Sequence, residues 1–294
     1  MSMKSTCLRV LSLLLMLCVL LPVAACFLLS CTDEREGLRV AVLDVGQSDA
    51  ILLSQGEHHL LIDCGTTLAR NDLLGELSYL GVDELEYLLL THLHEDHIGN
   101  ARVLLERYPV GALLTSAAES ADSVAEMTYG AAAESNCTHT VLRKGDSFSL
   151  GDARCEVLFA ANDADDEPNN GSVVLRVQYG ETVLLFTGDA EAALEETLLY
   201  YYPDGRLDCD FLKVGHHGSD TATTDRFLAA TTPHFAAISC GKDNEYGFPH
   251  KRVLDSLAAC GAAVARTDIS GTLIYESDGE ALRFYAWQGY RSAA

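Results

Sequence analysis

Six consecutive residues constrain this chain more than any other segment. They read His92-Leu93-His94-Glu95-Asp96-His97, so four candidate metal ligands, three histidines and one aspartate, fall within one short stretch. An apolar run of strand length, Leu85–Leu90, precedes them, and residues 98–108 have the spacing of an amphipathic helix. The sequence therefore predicts a metal site on a loop that leads from a strand into a helix.

The spacing of these side chains assigns them to two ions. Side chains alternate along an extended segment, so His92 and His94 point the same way and can hold one ion together. Asp96 and His97 follow where the chain turns, and they can face a second ion. Imidazole favours zinc and carboxylate also suits harder metals, so we expect one or two zinc ions, with manganese or iron as alternatives.

The first 31 residues form a separate segment. Lys4 and Arg9 begin it, and residues 10–30 are almost wholly apolar, which is typical of an export signal or a membrane anchor. Within it, Val23-Ala24-Ala25-Cys26 resembles the cleavage site of bacterial lipoproteins, in which the cysteine is lipidated. We expect a bacterial protein attached to the membrane outside the cytoplasm, through lipid on Cys26 or through an uncleaved helix.

The remaining residues, 38–288, show no second long apolar segment, no low-complexity linker and no repeat. This favours a single α/β domain with a large core. The chain carries a net charge of −23, and such a surface repels phosphate polymers unless metal ions or a local patch offset it. Beyond the first segment the cysteines form no CxxC pair, and buried free thiols are at least as well supported as disulfides.

Two downstream segments offer further ligands. A hairpin predicted over residues 172–189 ends in Thr187-Gly188-Asp189, whose carboxylate is suited to bridging two cations. A helix is predicted to follow, so an N-cap role for Asp189 is the alternative. A short strand then leads to His216 and His217. One of these histidines should complete the second metal site and the other should contact the substrate or leaving group.

Other polar residues are expected to surround the ions. Asp49 and Asp63 follow predicted strands and are suited to orienting metal-bound histidines, although a plain turn role is the alternative. Asn244, Tyr246 and His250 lie in a polar loop before a predicted helix, where the positive helix end favours an oxyanion or phosphate. For His250 the alternative is an exposed residue at the start of that helix.

Five segments, taken together, resemble the metallo-β-lactamase-type domain at the C-terminus of ComEC competence proteins. They are residues 44–50, 91–99, 169–175, 187–189 and 213–219, in the same order as in that family. The resemblance implies a four-layered αββα sandwich with metal ions at one edge of two sheets. It also implies hydrolysis by a metal-activated water, and the activity of a nuclease that acts on DNA during uptake.

Carried onto this chain, the resemblance and the residue patterns give one expected site. Its metal ligands are His92, His94, Asp96, His97, Asp189, His216 and His217. Its catalytic residues are Asp96, which takes a proton from the attacking water, together with His217, Asn244 and His250. The substrate is expected to contact Asn170, Ser219, Asn244, Tyr246 and His250.

The chain departs from the family in three respects. It shows one hydrophobic segment where the competence proteins have a many-helix channel, so we do not expect it to be a DNA channel itself. The wider superfamily usually supplies a third histidine to the first metal, where this chain has Asn169 and Asn170, as the competence subgroup does. We therefore expect the ion held by His92 and His94 to be lost first. Phe248 stands where relatives often have histidine, so the resemblance does not assign a role to His250.

The expected function is that of an exported metal-dependent phosphodiesterase or nuclease. The resemblance favours DNA as substrate, whereas the net charge of −23 favours a smaller phosphodiester. The alternatives are a protein that binds DNA or an envelope polymer without turnover, and a hydrolase of another small ester or lactam. No obligate protein partner is expected.

Overall fold

The computed structural model of the chain describes residues 37–116, 123–161 and 168–286. These residues belong to one compact unit that begins at Gly37. The apolar run at residues 10–30 and the lipidation candidate Cys26 lie outside the described residues. Within the described ranges, no helix combines the length and the hydrophobicity that crossing a bilayer requires.

Two mixed sheets form the centre of the fold. Their strands, numbered along the chain, are β1 (Leu38–Val42), β2 (Ile51–Gln55), β3 (His58–Ile62), β4 (Leu85–Leu90), β5 (Val110–Thr115), β6 (Thr138–Val141), β7 (Ser147–Leu150), β8 (Ala153–Phe159), β9 (Val174–Tyr179), β10 (Thr182–Phe186), β11 (Phe211–Lys213), β12 (Phe235–Ile238), β13 (Ala263–Arg266), β14 (Leu273–Ser277) and β15 (Leu282–Ala286). In the described part of the chain, the first sheet has the order β15-β14-β1-β2-β3-β4-β5-β6 and the second β13-β12-β11-β10-β9-β8-β7.

Helices cover the outer face of each sheet. The first sheet packs against α1 (Arg70–Tyr79), α2 (Glu95–Ile98), α3 (Ala101–Arg107) and α4 (Ser123–Glu134). The second packs against α5 (Ala192–Tyr201), α6 (Asp225–Thr231) and α7 (Lys251–Cys260), and the short α8 (Thr267–Ser270) leads from β13 towards β14. The four-layered αββα sandwich expected from the sequence is confirmed, and so is the single domain.

Burial of the strands on both faces explains their apolar sequences. In β1, Val40 faces the second sheet, whereas Ala41 packs towards the outer helices. In β10, Leu184 and Phe186 face the first sheet, and Leu185 packs towards the helices on the other side. Strands covered on both faces have near-continuous apolar sequences instead of alternating ones. Each sheet therefore contributes to two layers of core at once.

The helix predicted over residues 98–108 is interrupted, so that α2 and α3 are separate. At Gly99 the chain passes so close to its neighbours that a Cβ would lie 2.5 Å from the amide nitrogen of Thr67 and 2.7 Å from the carbonyl oxygen of Glu95. The Asn100 side chain donates to the carbonyl oxygen of Cys64 at 2.9 Å. The helix breaks here because these contacts hold the metal-binding motif against the loop after β3.

The six cysteines in the described residues are free thiols, and Cys64, Cys155, Cys209 and Cys240 are buried. This agrees with the expectation of buried free thiols at these four positions. Burial raises the pKa of the Cys155 thiol to about 12. Such thiols stay protonated at neutral pH and pack as small apolar groups.

Parallel strands bring the predicted site residues to one edge of the sandwich. Strand β3 runs parallel to β4 in the first sheet, and β10, β11 and β12 run parallel in the second. Asp63 follows β3, the histidine motif follows β4, Asp189 follows β10, and His216 and His217 follow β11. In α/β sheets, ligands bind beside the carboxyl ends of parallel strands, and this edge is therefore where a site is expected.

Replacing Phe211 with alanine should lower the free energy of unfolding by about 3–5 kcal/mol. The ring is fully buried between the sheets, where it contacts Tyr275 at 4.8 Å and Phe186 at 5.5 Å between ring centroids. Urea unfolding measures the loss. The matched variant Phe284→Ala, at a ring that is 38% exposed, should lose about 1 kcal/mol or less. Equal losses of unfolding free energy in the two variants would contradict the conclusion that Phe211 belongs to the core between the sheets.

Candidate metal centre

Four side chains direct one ligand atom each into the same space. They belong to Asp96, His97, Asp189 and His217, and the four ligand atoms all lie within 4.8 Å of one another. Asp189 Oδ2 is 3.3 Å from His97 Nε2 and 3.6 Å from His217 Nε2. Asp96 Oδ2 is 3.3 Å from His217 Nε2. We call these four residues the central cluster.

Buried atoms of the central cluster lack hydrogen-bond partners. Among the described residues, His97 Nε2, His217 Nε2 and Asp189 Oδ1 are buried without a partner. Buried polar atoms are nearly always satisfied, so three orphans in one place require an explanation. A metal ion provides one, because imidazole nitrogen and carboxylate oxygen are the ligands that zinc and manganese accept. The residues present therefore fit the ion that the sequence predicts.

Asp63 fixes the orientation of the His97 ring. Its Oδ2 lies 2.8 Å from His97 Nδ1, so the carboxylate accepts that N–H and leaves Nε2 for the central cluster. The same carboxylate accepts the backbone N–H of Thr91 at 2.8 Å and its hydroxyl at 2.7 Å. Carboxylates that hold a metal-bound histidine in this way raise its basicity and fix its tautomer. The contacts favour the orienting role for Asp63 over a plain turn role.

His217 is oriented by a buried ion pair. Its Nδ1 lies 3.0 Å from the carbonyl oxygen of Ser239 and 3.4 Å from Asp49 Oδ1. Asp49 in turn accepts a 2.7 Å hydrogen bond from the Lys213 ammonium, and both side chains are almost fully buried. No role for Lys213 is predicted from the sequence. The available signal was a charged residue inside an apolar strand, because lysine is almost never fully buried without a partner.

His92 and His94 face each other beside the central cluster. His92 Nε2 and His94 Nδ1 lie 3.0 Å apart, as the alternation of an extended segment predicts. At this distance one ring donates a proton to the other, or both nitrogens bind one ion. Burial, and secondly the neighbouring His97, hold the pKa of His92 well below its ordinary value, so its ring is neutral and suited to binding metal. The first metal site stays a prediction.

The structure distinguishes the two downstream histidines. His217 belongs to the central cluster, whereas the His216 side chain is 22% exposed and its Nε2 lies 3.7 Å from Asp189 Oδ2. His216 Nδ1 lies 3.1 Å from Glu191 Oε1, a contact that the sequence analysis missed. Glu191 also occupies the N-cap position of α5, so Asp189 is not the N-cap and its carboxylate is available to the central cluster.

Asn170 and Ser219 hold loops around the centre. The Asn170 side-chain oxygen accepts the backbone N–H groups of Glu191 and Leu194 at 3.2 and 3.3 Å, so it satisfies the start of α5. The Ser219 hydroxyl pairs with that of Thr221 at 2.9 Å, and Ser219 is buried. Their contact with substrate stays a prediction.

The loop between β12 and α7 carries the other predicted substrate residues. The Asn244 side chain bonds within this loop, where it accepts the Phe248 N–H at 2.9 Å and donates to the Phe248 carbonyl oxygen at 2.7 Å. His250 stands at the N-cap position of α7, and its Nδ1 accepts the Asp220 N–H at 3.0 Å. Tyr246 is 58% exposed. Of these three side chains, Tyr246 leaves most surface for a substrate.

The centre stabilises positive charge. Burial lowers the pKa of His97, but Asp189 and Asp63 outweigh burial and raise that pKa well above its ordinary value. Burial also opposes the charge on His217, yet Asp189 and Asp49 raise its pKa to about 10. Burial raises the pKa of Asp189, but His97 and His217 outweigh it, and that pKa lies well below its ordinary value. Protons on the histidines or a metal ion can supply this positive charge.

Comparison with protein families agrees with this geometry. Residues 43–161 and 163–242 match the model of the metallo-beta-lactamase superfamily. This chain belongs to the metallo-β-lactamase superfamily. Its fold binds metal ions, and the central cluster supplies candidate ligands for them. The resemblance inferred from the sequence is thereby confirmed.

Two curated relatives of this superfamily member are named for competence and for recombination. ComE operon protein 3 of Bacillus subtilis is 32% identical over 267 residues, which cover 85% of this chain and 34% of that protein. Recombination protein 2 of Haemophilus influenzae is 32% identical over 238 residues, which cover 79% of this chain and 28% of that protein. The chain thus spans about a third of the length of the curated relatives it matches.

A solved structure shows the same metallo-β-lactamase fold at low identity. The metallo-beta-lactamase fold protein YhfI of Bacillus subtilis superposes with a TM-score of 0.58 at 14% identity. The superposition covers 82% of this chain and all of that one. At this identity the likeness concerns the fold alone, and it agrees with the two-sheet architecture described above.

Replacing Asp63 with asparagine should weaken metal binding by about 10- to 100-fold. Asparagine tolerates the positive φ of 58° at this position, but its NH₂ group cannot accept the Nδ1–H of His97. Competition with a fluorescent zinc chelator measures the affinity. Glu76→Gln is the matched control, because Glu76 is also buried but bonds to Thr272 outside the centre. Wild-type affinity in Asp63→Asn would contradict the orienting role.

The chelator-treated protein should lose stability as the pH rises from about 7.5 to about 9.5. An unfolded histidine has a pKa of about 6.5, whereas folding raises that of His217 to about 10. The stabilisation by His217 is complete below its pKa in the unfolded chain. It disappears as the pH rises towards its pKa in the folded protein. The reason is that, between these two values, the folded protein retains a proton that the unfolded chain has released. Urea unfolding at the two pH values measures the loss.

The variant His217→Gln separates this effect from other titrations. The buried thiols also weaken stability over this pH range, but they do so in both proteins. The wild type should therefore lose more unfolding free energy than the variant. The same loss in both proteins would show that His217 carries no proton in the metal-free fold.

Proposed function

We propose that this chain is a metal-dependent phosphodiesterase that hydrolyses DNA outside the cytoplasm. The central cluster carries the proposal, because its three buried atoms without partners fit a metal ion. The relatives named for competence and recombination support a nucleic acid as substrate. Zinc suits the mixed histidine and carboxylate ligands, and manganese and iron are the alternatives.

An ion held by Asp96, His97, Asp189 and His217 would lower the pKa of water from about 15.7 to about 7, and it would polarise the phosphoryl oxygen. Asp96 is suited to accepting a proton from the attacking water, because its side chain is 33% exposed and lies at the solvent side of the cluster. Burial raises the pKa of Asp96, but the neighbouring His217 and the charge of His97 lower it more. Asp96 is therefore a carboxylate at neutral pH.

His216 is suited to act on the substrate. Its ring is partly exposed and its Nε2 is 3.7 Å from the Asp189 carboxylate, so it stands beside the cluster. The Glu191 carboxylate is placed to accept the Nδ1–H of His216, which leaves Nε2 facing away from Glu191. From there, Nε2 can donate a proton to the departing oxygen of a phosphodiester when the ring is protonated, or hold the substrate when it is neutral.

The N-terminal sequence supports a location outside the cytoplasm. Lys4 and Arg9 precede the apolar run at residues 10–30, as in export signals and anchors. Lipid on Cys26, or an uncleaved helix, would then hold the domain at the membrane. The net charge of −23 weakens binding to a phosphate polymer, and metal ions at the centre would offset part of this repulsion.

Metal analysis combined with three substrates tests the function. The purified protein should contain one or two ions per chain and should hydrolyse bis(p-nitrophenyl) phosphate and single-stranded DNA, but not nitrocefin. His97→Gln should lose metal and at least about 100-fold in phosphodiesterase activity. His234→Gln is the matched control, because this side chain is 77% exposed and lies outside the central cluster.

Three outcomes would overturn the proposal. Full activity of His97→Gln without metal would exclude a metal-dependent reaction at the central cluster. Turnover of nitrocefin alone would indicate a lactamase. A metal-loaded protein that binds DNA saturably and hydrolyses none of the three substrates would indicate a binding accessory.

A further inference from the structure

Two aromatic rings form an exposed surface beside the metal centre. Tyr246 stacks on Phe248 with ring centroids 5.3 Å apart and ring planes inclined by 20°. Tyr246 is 58% exposed, whereas Phe248 is partly buried beneath it. We call this pair the aromatic platform. A large aromatic side chain exposed on a loop next to a catalytic centre offers a flat apolar face to a ligand.

The aromatic platform is connected to the central cluster through His216. The Phe248 ring meets the His216 ring edge-on, with centroids 5.6 Å apart. His216 Nε2 lies 3.7 Å from Asp189 Oδ2, within the region where metal is expected. On its other side, Phe248 contacts the His250 ring at 5.1 Å. A ligand that rests on Tyr246 is therefore separated by two rings, Tyr246 and Phe248, from His216 at the edge of the central cluster.

The loop holds the aromatic platform in place before a ligand arrives. The Asn244 side chain bonds to both the N–H and the carbonyl oxygen of Phe248, and it donates to the carbonyl oxygen of Gly241 at 2.9 Å. The N–H of Gly247, between the two aromatic residues, donates to the Asn244 carbonyl oxygen at 3.2 Å. These bonds fix the loop that carries both rings. Binding a flat ligand therefore requires little reordering.

The charge of the chain indicates which part of a nucleotide this surface recognises. Proteins that bind single strands usually combine a basic groove for the backbone with aromatic faces for the bases. This chain has a net charge of −23, and the same loop exposes two carboxylates, Asp243 and Glu245, against one cation, Lys242. A loop with this excess of negative charge offers the phosphates little attraction, so affinity at this position has to come mainly from the uncharged base.

We infer that the aromatic platform of Tyr246 and Phe248 binds an unpaired nucleobase next to the phosphodiester that is cut, so that the substrate is a single strand. The inference rests on the proposed phosphodiesterase activity and specifies its substrate. In a duplex both faces of a base are stacked on its neighbours, so a ring from the protein has no face to contact without unstacking the helix. A single strand presents its bases freely.

The experiment compares a fluorescent oligothymidylate of about ten nucleotides with an abasic strand of the same length. The metal-loaded wild type should show a KM about tenfold or more lower for the base-bearing strand, with similar kcat. Tyr246→Ala should remove this preference by raising the KM of the base-bearing strand alone, whereas Tyr246→Phe should retain it. Tyr79→Ala is the matched control, because Tyr79 is also 58% exposed and lies at the end of α1.

A binding measurement distinguishes failure of this inference from failure of the proposed function. Stacking on Tyr246 should quench a 2-aminopurine base in the strand, and Tyr246→Ala should abolish the quenching whether or not the strand is cut. Quenching without hydrolysis of any phosphodiester would support the platform and overturn the proposed function. Hydrolysis with equal KM for base-bearing and abasic strands would overturn the platform and leave the function standing.

A quaternary ammonium ligand is the main rival, because a cation also binds an aromatic face beside acidic residues. Glycerophosphocholine tests it directly. Faster hydrolysis of glycerophosphocholine than of the oligonucleotide, lost in Tyr246→Ala, would overturn the inference. No hydrolysis of glycerophosphocholine, with the base-dependent KM intact, would support it.

Discussion

Three aspartate carboxylates are buried at one edge of the sandwich, and the surrounding structure has to compensate their negative charge. Asp49, Asp63 and Asp189 are each at most 2% exposed. A buried charge is unfavourable unless a partner of opposite sign and hydrogen bonds accompany it. Lys213 pairs with Asp49, His97 lies between Asp63 and Asp189, and a metal ion or protons on the histidines would supply the remaining positive charge. The loops around the centre are therefore organised by charge balance as much as by packing.

The sandwich makes this arrangement possible because its two sheets contribute different partners. Asp63 follows β3 of the first sheet and His97 lies in α2, which packs on that sheet, whereas Asp189 follows β10 and Lys213 ends β11 of the second sheet. The apolar core between the sheets, with Phe211 against Tyr275, fixes the distance between these loops. Ligands on rigid elements keep the geometry that a metal site needs. An ion bound by both sets joins the two sheets, so binding also stabilises the fold.

The sequence was sufficient for the parts of the site that are local. The motif around His92 is contiguous, and its alternation and the preceding strand follow from periodicity, so the candidate ligands could be named from the sequence, whereas the αββα fold was expected from the resemblance to the competence domain. The ion pair of Lys213 with Asp49 joins residues 164 positions apart, and no local pattern encodes such a contact. The division of roles between His216 and His217 likewise depends on Glu191, which a distant helix start positions. The interruption of the helix at Gly99 also depends on contacts that are distant in sequence, with the loop after β3.

The division of the central cluster between the two halves of the chain also affects when a metal is acquired. His97 is synthesised about 90 residues before Asp189, so the early half of the chain presents an incomplete set of ligands. Tight binding has to wait until the second sheet has formed and both halves have met. The order of affinities for divalent metals is much the same in any site of this kind, so geometry, ligand type and metal availability decide which ion is taken. The metals available in the compartment where folding is completed would therefore influence which ion this protein acquires.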